Sequence, residues 1–316
     1  MTAVNGNGAD TFNRGTGLLV IEVRHSNPNG DPDAESEPRT IDPDGLGLIS
    51  PPSFKRKLRD LVEDKEGPVW SEARRALPLE AEGAGGREYR ILESRGRDRE
   101  EIGAMDAETF SLAFWDGRVF GNTFLEEMKG KKITSSDANK AGKGKAQSKD
   151  HFIATGTVQF GPGVSICPIE VERLTTTNKS GVQEGKDRGM APLGWRVVRH
   201  GVYAMPFFVN PTAARKTDCS VTDIDLLRFL IPHAYRHTAS AIRPFVELRH
   251  AWYAEHTSPL GSCPDSLILD SMTPARLGDS DAPSTSIRDY EVPTELPAAI
   301  RERLAGFEDL CARQWR

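Results

Sequence analysis

The chain has 316 residues, 41 Lys and Arg against 46 Asp and Glu, a formal charge of −5 and 37% hydrophobic residues. That length holds one elaborated domain or two, no apolar run approaches the ~18 residues of a membrane span, and the polar first seventeen residues carry no secretory signal. The acidic balance excludes a protein that coats nucleic acid through overall charge, so any such role must rest on local basic patches.

Cys167, Cys219, Cys263 and Cys311 are dispersed with no C-x-x-C pair. The expectation is isolated reduced thiols in a cytoplasmic protein, not a disulfide framework or zinc site. Twenty-nine Gly and 21 Pro exceed the ~12% of average usage, which predicts many turns and strands joined by long excursions.

In chain order, Gly17 to Arg24 (GLLVIEVR) reads as a buried strand. Asn27-Pro28-Asn29-Gly30-Asp31-Pro32 follows, dense in turn signals. Ser50-Pro51 predicts a helix start, with Ser as N-cap and Pro at the first helical position. That helix runs through PSFKRKLRDLVED, with Phe54, Leu58 and Leu61 on its buried face. Residues 67–113 are charged and Gly-interrupted and read as an insertion, helical around Ser71 to Ala76. Asp116 to Gly121 (DGRVFG) follows. Residues 129–150 form a lysine-rich loop with seven lysines between Lys129 and Lys149 and no aromatic residue, which cannot bury a core.

Thr155 to Phe160 and Val164 to Val171 are strand candidates, and Thr175 to Trp195 is a polar excursion. Arg196 to Val209 is β-rich. Thr222-Asp223 opens an amphipathic helix predicted to run to about His237. Phe245 to Tyr253 reads as a strand. Glu295 to about Trp315 is predicted as a C-terminal helix burying Leu296, Ile300, Leu304, Phe307 and Leu310. Interspersed helices and strands predict an α+β fold.

Catalytic signatures are mostly absent: no phosphate-cradling G-x-x-x-x-G-K-[ST], no G-x-G-x-x-G, no H-E-x-x-H and no G-x-S-x-G occurs. His233 and His237 have i, i+4 spacing but no third ligand nearby, so a helix-surface or capping role is the simpler reading. Asp31 and Asp33 suit Mg²⁺-dependent phosphodiester cleavage or turn hydrogen bonding; the turn is favoured. On a helical wheel with Phe54 at zero, Lys55, Arg59 and Arg56 fall about 100°, 140° and 200° away. This basic ridge beside the buried face is either a solvated surface or a phosphate-binding one.

The order of these motifs resembles the CRISPR-associated Cas-seven family (RAMP superfamily), in its type I-C and I-B branches. The resemblance rests on Asn27 to Asp33, on Phe54-Lys55-Arg56-Lys57-Leu58-Arg59-Asp60, on Asp116 to Gly121, on Thr155 to Phe160, on His200 to Tyr203 followed by Asn210-Pro211, and on His237 to Ala241. Ser50-Pro51-Pro52-Ser53 departs from the commoner Val-Thr-Asp before the basic helix.

The resemblance implies one discontinuous RRM-like (ferredoxin-like) palm over 1–316, with helical fingers at 67–113 and a protruding thumb hairpin at 175–195. It implies a non-catalytic CRISPR RNA-binding subunit of a Cascade ribonucleoprotein in antiviral defence, polymerising head to tail along the guide and presenting it to target DNA. Further partners are the small, large and repeat-handle-binding Cascade subunits; no cofactor and no membrane contact is expected. Carried over by position, the RNA contacts are Asn27, Asn29, Lys55, Arg56, Arg59, Thr176, Met190, His237 and Ser240. Met190 is the wedge that pushes between bases. Lys131, Lys132, Lys140, Lys143 and Lys145 are expected to line a groove for target or displaced DNA. The competing expectation is a type III-like, metal-dependent ribonuclease using Asp31 or Asp33.

Overall fold

The computed structural model describes residues 12–41, 43–79, 86–123, 153–178 and 191–315. Strand β1 (Gly15–Ser26) leads into a small ladder of β2 (Gly30–Asp31) and β3 (Glu37–Pro38), then β4 (Thr40–Ile41), β5 (Leu46–Ile49) and helix α1 (Pro51–Glu63). Helices α2 (Pro68–Ala76), α3 (Arg99–Ala104), α4 (Ala107–Ala113) and α5 (Trp115–Phe120) come next. Strands β6 (Gly121–Thr123), β7 (Ile153–Thr155), β8 (Val158–Phe160), β9 (Gly163–Pro168), β10 (Val171–Asn178) and β11 (Ala191–Val209) precede α6 (Pro211–Thr217) and α7 (Val221–Leu230). The chain ends in β12 (Phe245–His256), α8 (Asp265–Met272), β13 (Ala275–Arg276), β14 (Tyr290–Glu291), α9 (Ala298–Arg301) and β15 (Leu304–Asp309).

The main sheet has the order β15-β12-β1-β11-β9-β5-β4, its partners antiparallel, with β8 and β10 also paired to β11. The expected α+β class is therefore found as helices packed on an antiparallel sheet. At its centre the chain order β1–α1–β9–β11–α7–β12 gives the spatial order β12-β1-β11-β9.

The apolar run of β1 is continuous because both its faces are covered, where a one-sided sheet would alternate. Leu19, Ile21 and Val23 share a core with Phe54 and Leu58 of α1 and Leu226, Leu227 and Leu230 of α7. Leu18 and Val20 share the opposite core with Ile268, Met272, Tyr290 and Leu296. A third cluster joins Leu92, Ile102, Phe110 and Ala113 of the segment expected as an insertion to Phe114 just beyond it. Among the described residues no helix is long and apolar enough to cross a membrane.

Strand β11 belongs to two structures. Val198 to Val209 pair with β1, while Ala191 to Val198 pair with β10, so this strand continues past β1 as one arm of an antiparallel ladder with β10. The segment expected as a polar excursion thus begins and ends as strand. Residues 179–190, including Met190, lie outside the described residues, as does the lysine-rich loop with Lys131, Lys132, Lys140, Lys143 and Lys145.

Two helices are shorter than the sequence predicts. The predicted 222–237 helix ends at Leu230, and a 3-10 turn (Ile231–His233) carrying Pro232 follows. A proline cannot donate into the preceding turn, so His233 and His237 do not share a helix face. The predicted C-terminal helix is replaced by α9, β15 and a 3-10 turn (Leu310–Trp315). Leu296, Leu304 and Leu310 are buried as the stripe requires. However, the free edge of β12 offers a ladder to pair with, and Gly306 weakens the helical alternative.

Candidate nucleic-acid interface

Helix α1 positions the basic residues, and the loop before it positions α1. Ser50 occupies the N-cap but makes no side-chain cap. Its backbone N–H instead donates to Asn29 Oδ1 at 2.7 Å, so Asn29 pins the helix start. Asn27 is 4% exposed and donates through Nδ2 to the Ser36 carbonyl at 2.6 Å and the Arg196 carbonyl at 3.4 Å. Its own carbonyl accepts from Arg243 Nε at 3.0 Å, and its N–H donates to the Ile242 carbonyl. The loop is thereby tied to β11, where the ladder with β10 starts, and to the turn at 240–243.

Asp31 accepts from the Asp33 N–H at 3.1 Å and pairs with Arg39 at 3.3 Å. The Asp31 carboxylate therefore shapes the turn, to which Asp33 contributes its backbone N–H; among the described residues no group of three or more His, Cys, Asp or Glu is placed to hold a metal ion.

The basic residues of α1 divide into two sets. Phe54, Leu58 and Leu61 face the core as expected, and Val62 joins them. Arg59 is 4% exposed and donates through Nε to Asp116 at 2.8 Å, with Glu93 at 3.3 Å. Arg56 donates to the Glu93 carbonyl at 2.7 Å and pairs with Asp60 and Glu63. Both guanidiniums are thus neutralised within the fold.

The lysines are not. Neither Lys55 nor Lys57 has an ion-pair partner among the described residues. Lys55 reaches over the Phe120 ring at 5.3 Å, and burial together with the Arg59 charge lowers its pKa. Burial also lowers that of Lys57, aided by the charges of Arg243 and Arg56 against Asp60. In both, burial and the neighbouring cations outweigh the opposing carboxylates Glu93 and Asp60. Arg243 is fixed by its Asn27 contact and by a turn in which Ser240 and Arg243 exchange backbone hydrogen bonds at 2.9 and 3.2 Å. His237 and Ser240 are exposed on this segment. Burial lowers the pKa of His237, and nearby Lys57 adds to that while Asp60 and Asp64 oppose it. The structure thus places Lys57, His237 and Arg243 along one edge of α1, with Ser240 on the Arg243 turn and Asn27 tied to Arg243, while Lys55 lies on the opposite flank beside Arg59 and Phe120. Thr176 lies apart on β10, opposite Leu193.

Sequence reasoning missed Lys57 and Arg243. One signal was available: Arg56 has Asp60 at i+4, whereas Lys55 has Arg59 there and Lys57 has Leu61. The DGRVFG motif also gains a structural role. Asp116 accepts from Arg59 and from the Leu92 and Glu93 N–H groups. Arg118, fully buried, donates to both oxygens of Asp223 at 3.0 and 2.9 Å and to the Ser111, Leu112 and Glu88 carbonyls. Gly121, at φ +78°, faces Gly156 so closely that a Cβ on it would lie 2.3 Å from the Gly156 nitrogen. Backbones approach that closely only at glycine.

A family model described as CRISPR-associated protein Cas7 matches residues 13–295, well over half of the chain. The chain belongs to the Cas7 family. A Cas7 relative described as "CRISPR-associated protein Cas7", from Haloferax volcanii, is 27% identical over 242 residues. That match covers 73% of this chain and 66% of the relative, just under two thirds of its length. Among solved structures, a chain of a "CRISPR RNA-guided surveillance complex, pre-nicking" matches with TM-score 0.44 and 15% identity, over 76% of this chain and 78% of that one. A second, from a "CRISPR RNA-guided surveillance complex", matches with TM-score 0.41 and 15% identity, over 76% and 68%.

Proposed function

We propose that the chain is a non-catalytic, cytoplasmic CRISPR RNA-binding backbone subunit of a Cascade-type complex in antiviral defence. The observation that carries this reading is that Lys57 and Arg243 adjoin at one edge of α1 and Lys55 stands on its other flank, none of them in an ion pair among the described residues. A guide must be held without regard to its sequence, so contacts belong on phosphates and 2′-hydroxyls. Lysine and arginine left without carboxylates are suited to that. In this reading His237 and Ser240 add polar contacts and Arg56 flanks the track. Arg59, Asn27 and Asn29 shape the surface from beneath.

The β1–α1–β9–β11–α7–β12 order supports an RRM-like palm, in which helices 67–113 are the fingers and the β10–β11 hairpin is the thumb. Met190 and Thr176 are then thumb residues that meet the guide. Because both faces of β1 are covered, RNA would follow the helix edge instead of stacking across the open sheet. Copies would polymerise head to tail along the guide, joined by the small, large and repeat-handle-binding subunits. Target DNA would be read by base pairing to the guide. The lysine-rich loop would line its groove, so deleting 129–149 should weaken target DNA binding and leave guide binding intact.

The test is to purify the protein after co-expression with its genomic neighbours and sequence the bound nucleic acid. The expected result is RNA of one defined length with repeat-derived ends around varied spacers. Heterogeneous cellular RNA would overturn the guide-specific reading. Mg²⁺-dependent cutting of complementary RNA, lost in Asp31→Ala, would overturn the non-catalytic one.

A further inference from the structure

The far end of β12 carries a buried polar cluster that the nucleic-acid reading does not use. His256, fully buried, is the last residue of that strand. Its Nδ1 accepts the Ser262 N–H at 3.0 Å. A backbone amide can only donate, so Nδ1 carries no proton, the ring is neutral and its one proton sits on Nε2. Nε2 lies 3.1 Å from Thr16 Oγ1, whose own hydroxyl donates to Asp265 Oδ1 at 2.6 Å. Arg14 pairs with Asp265 at the end of this relay. Ser262 Oγ, 3.2 Å from Nδ1, accepts the Thr257 N–H at 3.3 Å. The ring thus fastens a turn, Thr257 to Ser262, that the Gly261 N–H closes on the Ser258 carbonyl at 3.1 Å and that carries Leu260, 90% exposed, at its tip.

We propose that His256 is a proton-operated latch: a second proton on the ring, at Nδ1, expels the Ser262 N–H and releases residues 257–262 from the end of β12 while the sheet stays folded. An imidazolium has two donors and no acceptor, so the contact cannot survive protonation. The Arg14 N–H to the Ser258 carbonyl, at 3.3 Å, is the remaining backbone tie to the turn from the chain ahead of β1. The charges facing the ring are Asp265 at the start of α8, which favours its protonation, and Arg14, which opposes it. From β1 it meets the neutral Thr16, and on β15 its register partner is Leu304. Burial, aided by Arg14, outweighs Asp265 and lowers the pKa of His256. Asp265 does not titrate in the same range, because against burial the Arg14 and Thr16 hydrogen bonds hold its carboxyl below its ordinary value. In the open turn the ring titrates near its ordinary value of about 6.5. Above that pH neither form binds the extra proton and the latch stays shut. Below it the open form takes up one proton that the closed form does not, so the open population rises as pH falls.

The test is hydrogen exchange of the full chain by mass spectrometry between neutral and mildly acidic pH, with rates corrected for the intrinsic pH dependence of amide exchange. Peptides spanning 257–262 should lose protection about ten-fold per pH unit below about 6.5, while peptides from β1 keep theirs. In His256→Gln the side-chain carbonyl can accept from Ser262 and the amide can donate to Thr16, so the turn should stay protected throughout. Equal protection of the parent turn at every pH overturns the latch. So does a matching loss of protection in β1, which would make the event global acid unfolding. An undiminished acid-induced opening in folded His256→Gln overturns it too, because another group would then be the sensor. Imidazole nitrogen NMR of the unsubstituted protein at neutral pH checks the starting state directly: a proton on Nε2 alone is expected, and one on Nδ1 overturns the proposal.

Discussion

One helix supports two opposite uses of charge. On one side of α1, Arg59 enters a cluster with Asp116, and Arg118 and Asp223 form a second buried pair nearby; donors and carboxylates there are matched inside the fold. On the other side, Lys57 faces Arg243 with no ion-pair partner and a lowered pKa. The first arrangement fastens the 88–118 segment to α1 and α7. The second leaves positive charge at the surface at some cost in self-repulsion. Evenly scattered basic residues would do neither. The difference separates cations that hold the protein together from cations available to a polyanion, although both come from the same KRKLRD stretch.

The strongest way to break this comparison is Arg118→Ala. Removing one partner of a buried pair leaves Asp223 with only Arg87 at 3.9 Å as a counter-charge, a loss of about 3–5 kcal/mol. Three carbonyls also lose their donor. Urea denaturation should show a large fall in midpoint, and a midpoint within error of the parent would mean the buried cluster does not fasten the fold. The paired Lys55→Ala and Lys57→Ala variant should do the reverse. Its stability should match or exceed that of the parent, because repulsion is relieved. Single-stranded RNA affinity should fall, and the slope of log K against log salt should shrink by about 0.7 per lysine that met a phosphate. Arg56→Ala, whose charge Asp60 and Glu63 already neutralise, should change that slope less; an equal change would erase the distinction between paired and unpaired cations.

Asn29→Ala tests the link between the regions. It removes the acceptor for the Ser50 N–H and should lower stability by about 1 kcal/mol. RNA affinity should fall less than in the lysine variants, because the cations remain and only the helix start is loosened. Denaturation and anisotropy on the same sample would separate the two effects.

Much of this was legible in the sequence because local rules governed it. The apolar run of β1, the Ser50-Pro51 helix start and the Phe54, Leu58 and Leu61 stripe each declare themselves within a few residues. The C-terminal segment did not, because its buried leucines fit a helical stripe while the element depends on a distant strand edge. The His233–His237 spacing misled because Pro232 ends α7 first. The fate of the basic residues was only half legible. Arg56 has acidic neighbours along its own helix, but Arg59 is neutralised by Asp116, 57 positions away, and Lys57 is paired with another cation, Arg243, that only the fold brings near.

The smallest expected effect sharpens the comparison further, through the protonation of the two lysines. In the free protein, burial and neighbouring cations lower the pKa values of Lys55 and Lys57 from the ordinary lysine value. A bound phosphate would raise them, since a nearby opposite charge favours the protonated form. Below the free-state values both states are fully protonated, and affinity should not depend on pH. As pH rises from the free-state towards the bound-state values, the RNA-bound protein retains protons that the free protein has lost. Binding then takes up protons, and affinity should fall. Lys57→Arg should blunt the decline, because a guanidinium stays charged throughout. Anisotropy titrations from neutral to alkaline pH at fixed salt would read this directly. A flat profile in the parent protein would mean that phosphate does not sit on these lysines.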